Sequence, residues 1–294
     1  MGTAEGATNA QLSEFLRTRR ARLSPTGAGL PAAAGAGTRR VPGLRREEVA
    51  RLAGVSVDYY IRLERGRAAN VSGAVLDALA RALRLDPAER AHLLALAAPG
   101  HRPRRRPHQG PPDPVQRVRP GLLRVLESVG GNPALVLGRR YDVLAANAPA
   151  RALYTDFEAL PVRERNMVRF LFLDPAARTL YADWPAAARA TVGGLRLYAG
   201  RHADDPLLAG LVAELSGRDA DFRRWWAAHE VREHAYGTKH YHHPRVGDLV
   251  LGYETLASPT DADQVLGMHT AEAGSPSARA LRLLAAPTGL TPGG

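Results

Sequence analysis

The chain has no cysteine among its 294 residues, which excludes disulfides, thiolate metal sites and cysteine nucleophiles. Lysine is almost absent as well. The 40 basic residues comprise 39 arginines and the single lysine Lys239. Alanine, glycine and proline are abundant, and together these biases indicate a G+C-rich genome. The preference for arginine over lysine therefore carries little functional information, although the positions at which the arginines cluster still do.

Long hydrophobic runs are also missing. No apolar run approaches the roughly 18 residues of a membrane span. The N-terminal MGTAEGATNAQ lacks the basic and apolar regions of a signal peptide. We expect a cytoplasmic protein without a membrane partner.

Positive charge is concentrated in the first third of the chain. Residues 1–107 contain 19 of the 40 Lys and Arg residues but 9 of the 29 Asp and Glu residues, so they carry a net charge of +10 out of +11. A field localised in this way suits a surface that displaces counterions from phosphates. The distribution predicts double-stranded DNA as a partner of the N-terminal part, and with it an association with the bacterial nucleoid.

The length is sufficient for about two domains, each with its own core. A run of prolines and arginines separates two regions of different pattern. The arginines of this run either attract DNA or only keep the segment soluble. The sequence predicts a DNA-binding domain at residues 1–98, a linker at 99–114, a second domain at 115–286 and a flexible tail at 287–294.

Residues 44–66, LRREEVARLAGVSVDYYIRLERG, predict two helices that cross at a tight turn. Ala50 offers a small side chain where the second helix approaches, and Gly54 supplies the turn residue. Ser56 is a suitable N-cap for the second helix. An ordinary helical hairpin is the alternative, but the agreement of these signals favours a helix-turn-helix. The predicted buried seam consists of Val49, Ala53, Val55, Tyr60 and Leu63, and Gly66 closes the second helix.

The opposite face of the second helix is predicted to read DNA bases in the major groove. Arg62 is suited to the O6 and N7 of guanine, and Asp58 to the N4 amine of cytosine. Apolar side chains on this face suit the methyl group of thymine. The predicted base-contacting residues are Val57, Asp58, Ile61, Arg62 and Arg65.

Further helices complete an all-α N-terminal domain of about five helices. A first helix is expected over Ala10–Arg22, and Ser72 is expected to cap a fourth. Asp86, Pro87 and Glu89 are spaced as the start of a fifth. In the long loop before the motif, Arg39 and Arg40 either touch phosphate or are simply solvated.

The second domain mixes strands with inserted helices and is predicted to be α+β, with a sheet of roughly five antiparallel strands. A hairpin is expected first, and three further strands near the C-terminus. The predicted strands are 134–137, 141–147, 238–243, 249–256 and 265–271. Helices are predicted at 120–128, through most of 149–229 and at 276–285.

Enzyme signatures are lacking. No G-x-S-x-G, P-loop or dinucleotide G-x-G-x-x-G is present, and the histidines near residues 229–243 match neither HExxH nor HxxEH. We therefore expect no enzyme, no catalytic residue, no metal and no cofactor.

The sequence resembles a known family. GLRREEVARLAGVSVDYYIRLERGR resembles the phage-repressor-type (XRE) helix-turn-helix, and VLDALARALRLDPAERAHLLALA extends this likeness to actinobacterial regulators of the MmyB-like group. LVLGRRYDVLAANAPARAL, RNMVRFLFLDPAARTLYADW and GDLVLGYETL resemble the ligand-binding domain of that group. The resemblance implies a PAS-like second domain that accepts a small apolar molecule such as a fatty acid.

The resemblance also implies roles for single residues. It places Val57, Asp58 and Arg62 at base-reading positions, and it implies a buried Glu64 paired with Arg20. The predicted phosphate contacts are Arg45, Arg46, Ser56, Arg39 and Arg40. For each apolar candidate of the second domain, packing in the core is the alternative to a ligand contact. The predicted pocket residues are Met167, Phe170, Phe172, Leu195, Tyr198, Trp225, Trp226 and Met268.

These observations predict a sequence-specific transcriptional regulator that binds DNA as a homodimer and senses a small hydrophobic effector. Two alternatives remain at this point. In one, the second domain serves only for dimerisation or protein contact. In the other, the protein is an enzyme fused to its own DNA-binding module.

Overall fold

In a computed structural model, most of the chain is described. The predicted linker at 99–114, the predicted tail at 287–294 and the loop residues Arg39 and Arg40 lie outside the described ranges. The structure describes residues 10–31, 43–67, 71–97, 116–202, 204–232, 235–258 and 261–285.

The chain divides into two compact units. Unit 1 contains the predicted helix-turn-helix and unit 2 contains the sheet. The domain boundaries taken from the sequence stay predictions. Unit 1 consists of Met1–Gln109, Arg196–Pro206 and Arg224–Arg232, and unit 2 consists of Gly110–Leu195, Leu207–Arg223 and Glu233–Gly294.

The N-terminal part of unit 1 forms five helices, as predicted. Each capping residue that the sequence predicted forms its hydrogen bond at a helix start. Ser56 Oγ accepts the N–H of Tyr59 at 3.2 Å, and Ser72 Oγ accepts a helix N–H at 3.3 Å. Asp86 and Glu89 cap each other's backbone N–H groups at 2.8 and 3.1 Å. The helices are α1 (Ala10–Arg22), α2 (Arg46–Ala53), α3 (Val57–Glu64), α4 (Gly73–Ala82) and α5 (Pro87–Ala97).

Helices α2 and α3 meet at the predicted turn. Gly54 has a φ of 66°, in the left-handed region that favours glycine. The N–H of Val55 donates to the carbonyl of Ala50 at 3.0 Å, and the side chain of Ala50 is fully buried. Gly66, with a φ of 70°, follows the end of α3. The seam is buried as predicted, except that Val55 is only partly buried.

A buried carboxylate joins three of these helices. Glu64, at the end of α3, is 3% exposed. Its Oε1 accepts from Arg20 Nε of α1 at 2.6 Å, and its Oε2 accepts from Arg46 Nε of α2. Tyr60 Oη adds a long contact of 3.4 Å, and Ser13 Oγ of α1 donates to the Glu64 carbonyl at 2.5 Å. The predicted pair of Glu64 and Arg20 is confirmed.

Unit 2 is built on a five-stranded antiparallel sheet with the order β2-β1-β5-β4-β3. The central strand, β5, pairs Leu266 with Val136 of β1 and with Leu256 of β4. The three C-terminal strands begin two to four residues before their predicted starts, because backbone pairing continues where the side-chain alternation has ended, whereas β5 ends one residue before its predicted end. The strands are β1 (Ala134–Leu137), β2 (Val143–Ala146), β3 (Tyr236–His243), β4 (Gly247–Ser258) and β5 (Asp261–Thr270).

The predicted hairpin of β1 and β2 is present, but β2 begins two residues later than expected. A single 3₁₀ turn occupies Arg139–Tyr141 instead. In it, Arg140 and Tyr141 have φ values of 57° and 65°. Non-glycine residues rarely adopt this left-handed region, so the apolar pattern alone did not reveal the turn.

Eight more α-helices occupy the described residues after position 116. Several begin at a polar cap, such as Asn147, Asn166, Asp174 and Asp219. None of the described helices has both the length and the apolar character that crossing a bilayer requires. They are α6 (Pro120–Ser128), α7 (Ala148–Leu153), α8 (Met167–Leu173), α9 (Pro175–Leu180), α10 (Trp184–Arg201), α11 (Pro206–Arg218), α12 (Ala220–Ala227) and α13 (Pro276–Ala285).

Replacing the buried carboxylate tests how much it contributes to the free energy of unfolding. Glu64→Gln removes the charge that two guanidinium groups share, and we expect it to lower the free energy of unfolding by about 3 kcal/mol. Glu47→Gln is the control, because Glu47 lies at the surface in a 3.5 Å pair with Arg45, and it should cost less than about 0.5 kcal/mol. Chemical denaturation of both variants measures the difference. Equal losses would contradict the assigned role of Glu64.

Candidate DNA-binding surface and effector cavity

The outer face of α3 presents the predicted base-reading side chains to solvent. Asp58, Arg62 and Arg65 are exposed, Val57 is 41% exposed and Ile61 is partly buried. The opposite face holds Tyr60, Leu63 and Glu64 in the core, so the helix has one buried and one free side. The five residues stay predicted base contacts, and their exposure is what that role requires.

Tyr59 adds a residue that the sequence did not single out. The guanidinium carbon of Arg62 lies 6.0 Å from the centroid of the Tyr59 ring, at the outer limit of a cation–π contact. Such a contact restrains a long side chain before it meets DNA. Tyr59 lies three residues before Arg62 on the same helix, so the i, i+3 spacing was the available signal.

The predicted phosphate contacts differ in how far their side chains are already engaged in contacts within the protein. Arg45, whose side chain is 53% exposed, makes a long pair of 3.5 Å with Glu47. Arg46 directs its Nε to Glu64 while its side chain stays 46% exposed. Arg46 therefore also stabilises the fold through Glu64, a role that the sequence did not predict. Ser56 is exposed, but its hydroxyl oxygen accepts the Tyr59 N–H.

Unit 2 contains a cavity of about 110 Å³. One part of its wall is apolar and includes Leu135 and Leu137 of β1, Leu171 of α8 and Ala190 of α10. The volume is below the roughly 300–1,000 Å³ of sites for drug-sized ligands, so the cavity suits a short molecule. The polar residues that line it include Tyr154, Tyr181, Lys239, Tyr253 and His269.

Tyr154 forms the hydrogen bonds within the polar part of the cavity wall. Tyr154 Oη lies 2.5 Å from His269 Nε2 and 3.0 Å from Tyr241 Oη. Burial raises the pKa of Tyr154 to about 12, and burial followed by the charge of Lys239 lowers the pKa of His269 to about 3. Near neutral pH, Tyr154 is therefore a phenol and His269 an uncharged imidazole.

The predicted pocket residues only partly coincide with this cavity. Met167 and Met268 line it. The other six belong to packing elsewhere, because an apolar stripe at helical spacing does not distinguish a core from a pocket. Phe170 contacts Tyr154 and Phe157, Phe172 contacts Trp184 and Phe222, Leu195 is fully buried, Tyr198 stacks on His202, Trp225 lies under Arg224, and Trp226 lies under Arg196.

The histidines near residues 229–243 are dispersed. His242 Nδ1 lies 2.6 Å from an oxygen of Asp248 at the surface, whereas His243 Nε2 lies 3.0 Å from the Ala152 carbonyl. His229 lies 3.0 Å from Glu14. Within the described ranges, no three histidine or carboxylate side chains are grouped as metal ligands.

Comparison with protein families agrees with both parts of the chain. Residues 118–284, more than half of the sequence, match the family described as the MmyB-like transcription regulator ligand binding domain. Residues 11–93 match a helix-turn-helix domain. Both are regulatory families rather than enzyme families, and the search of curated proteins gave no match. The chain therefore belongs to the MmyB-like transcription regulators, in which a DNA-binding helix-turn-helix precedes that family's ligand-binding domain.

Proposed function

We propose that the protein is a dimeric, sequence-specific transcription regulator of the XRE type that binds a two-fold operator. The observation that carries this proposal is the exposed α3 face with Asp58, Arg62 and Arg65 on a helix whose other face is buried. A helix presented in this way fits the major groove. A dimer would place two such helices on half-sites one helical turn apart.

The arginine-rich composition supports an actinobacterial origin, and DNA as a partner supports a cytoplasmic location.

We further propose that unit 2 binds a small, mainly apolar effector of the fatty-acid type. The support is the cavity, with its apolar wall at Leu135, Leu171 and Ala190 and its polar group around Tyr154. Its volume of about 110 Å³ favours a short chain. The effector changes DNA binding only in proportion to its differential affinity for the two states of the protein.

Selection of bound sequences from a random duplex pool tests the DNA-binding proposal. The full-length protein is used at near-physiological salt, because phosphate attraction alone retains DNA when the ionic strength is low. Enrichment of a two-fold motif is the expected result. Retention of DNA without enrichment, with and without added fatty acids, would overturn the proposal of a sequence-specific regulator.

Substitutions at two arginines separate base reading from phosphate contact. Arg62→Ala should weaken binding to the selected operator by about 1 to 3 kcal/mol and leave binding to random DNA almost unchanged, because it removes a base contact. Arg45→Ala should weaken both alike. Arg45 is a better control than Arg46, whose removal also disturbs Glu64. Titration by fluorescence anisotropy provides both affinities. Equal losses for Arg62→Ala on the two DNAs would remove its assignment as a base reader.

Filling the cavity tests the effector site. The Tm of the wild-type protein should rise with at least one member of the series butanoate, octanoate and tetradecanoate, because ligand binding to the folded state stabilises it. Ala190→Leu should abolish that rise, because the larger side chain occupies the cavity. Ala213→Leu, on the exposed face of α11, is the matched control and should retain it. A rise that persists in Ala190→Leu would place the effector elsewhere.

A further inference from the structure

Lys239 occupies an unusual place for a basic residue of this chain. It lies in β3 opposite Leu251 of β4, and its side chain lines the cavity of unit 2. The ammonium nitrogen is 4.5 Å from the centroid of the Tyr253 ring, a cation–π distance. Its side chain is partly buried, and no carboxylate among the described residues forms an ion pair with it. The face of the Tyr253 ring is therefore the contact that offsets part of the cost of burying the Lys239 charge.

The choice of residue type is informative here. A G+C-rich genome accounts for 39 arginines, but it does not account for the single lysine. Arginine keeps its proton in proteins, whereas lysine can lose it when it is desolvated. Desolvation lowers the pKa of Lys239 to about 8. An appreciable fraction of its amines is therefore unprotonated near neutral pH, the state in which lysine acts as a nucleophile.

We infer that Lys239 forms a Schiff base with an aldehyde that enters the cavity, so that the effector is held by a reversible covalent bond. The inference rests on the proposed function, because it assumes that the cavity is the effector site. It assigns the effector's reacting group: a carbonyl carbon at the end of a short apolar chain. The apolar wall that includes Leu135 and Ala190 receives the chain.

The chemistry needs no oxidant or reductant. The lone pair of Lys239 Nζ attacks the carbonyl carbon, a C–N bond forms, and the carbonyl π electrons move to oxygen. The nitrogen loses one proton and the oxygen gains one, which gives a carbinolamine. The C–O bond then breaks, and the oxygen leaves as water after taking a second proton. The nitrogen becomes doubly bonded to carbon and releases its second proton to the group that protonated the oxygen, so amine and aldehyde yield imine and water.

The neighbouring groups suit these proton transfers. Burial raises the pKa values of Tyr154 and Tyr181, so both remain phenols that can donate a proton to the departing oxygen. His269 is uncharged near neutral pH and does not add a second cation beside Lys239. Glu254 is exposed at the rim. The titratable groups that line the cavity with Lys239 are Tyr141, Tyr154, Tyr181, Tyr253, Glu254 and His269.

The presence of one lysine makes the test direct. The full-length protein is incubated with hexanal and cyanoborohydride, which reduces an imine to a stable secondary amine. Labelling is followed over time by mass spectrometry of tryptic peptides, because the N-terminal α-amine is labelled as well. A hexyl group is expected on the peptide of residues 233–245, which contains the sole lysine. K239R keeps the charge but should lose this label. Hexanoate is the matched compound that cannot form an imine.

A surface lysine supplies the rate control. Arg163 is 84% exposed, and R163K in the K239R background presents an ordinary solvated amine. At about pH 7, a pKa of about 8 leaves on the order of a hundred times more unprotonated amine than an ordinary lysine has. Lys239 should therefore be labelled at least about tenfold faster than that amine. Its labelling rate should rise between about pH 6 and pH 8 and then level off, whereas the rate for R163K should continue to rise.

The outcomes separate this inference from the proposed function. Faster labelling at Lys239 with the early plateau supports the Schiff base. Equal rates at the two positions, or no adduct although hexanoate raises the Tm, would overturn it and leave an effector site in which Lys239 is only a counter-ion. Because the readout is a mass, it does not depend on finding an operator. A failed operator selection would therefore count against the proposed function alone.

Discussion

The carboxylate of Glu64 is the interaction on which the DNA-binding part depends. It is buried at the end of α3 and receives the guanidinium groups of Arg20 and Arg46, so that α1, α2 and α3 meet at one charge. A buried charge is stable only when it is paired and hydrogen-bonded. The orientation of the recognition helix is therefore fixed by the same contacts that satisfy this carboxylate. The outer face of α3, which carries the predicted base contacts, stays exposed.

The helix-turn-helix was predictable because its signals are local. Ser56 caps a backbone N–H three residues away, the reciprocal pair of Asp86 and Glu89 spans three positions, and Gly54 acts within one turn. Each requirement is therefore legible in a short window of sequence. The pair of Glu64 and Arg20 came from the family resemblance. Arg46 was read only as a phosphate contact, because nothing in its local window reports a carboxylate 18 positions later.

The cavity was not predictable in the same way. Tyr154 follows the hairpin, whereas its partner His269 lies 115 positions later on β5. Their meeting depends on the order of the strands, with β5 between β1 and β4, and on the register of each pair. A shift of one residue would turn every side chain of a strand to the other face. Sequence patterning predicted that a sheet forms, but not which polar side chains meet inside it.

Gly43 lies where the chain returns to the end of α1. A Cβ at Gly43 would lie 2.5 Å from Ala21, and the next residue, Leu44, donates its N–H to Arg20 O at 3.0 Å. The chain thus leaves α1 and comes back to the same point, where Arg20 also binds the carbonyl of Leu44. A side chain at position 43 would therefore push the returning segment away from α1 and displace the Leu44 carbonyl that Arg20 binds. Glycine at this one position thus keeps Arg20 aligned with the buried carboxylate of Glu64.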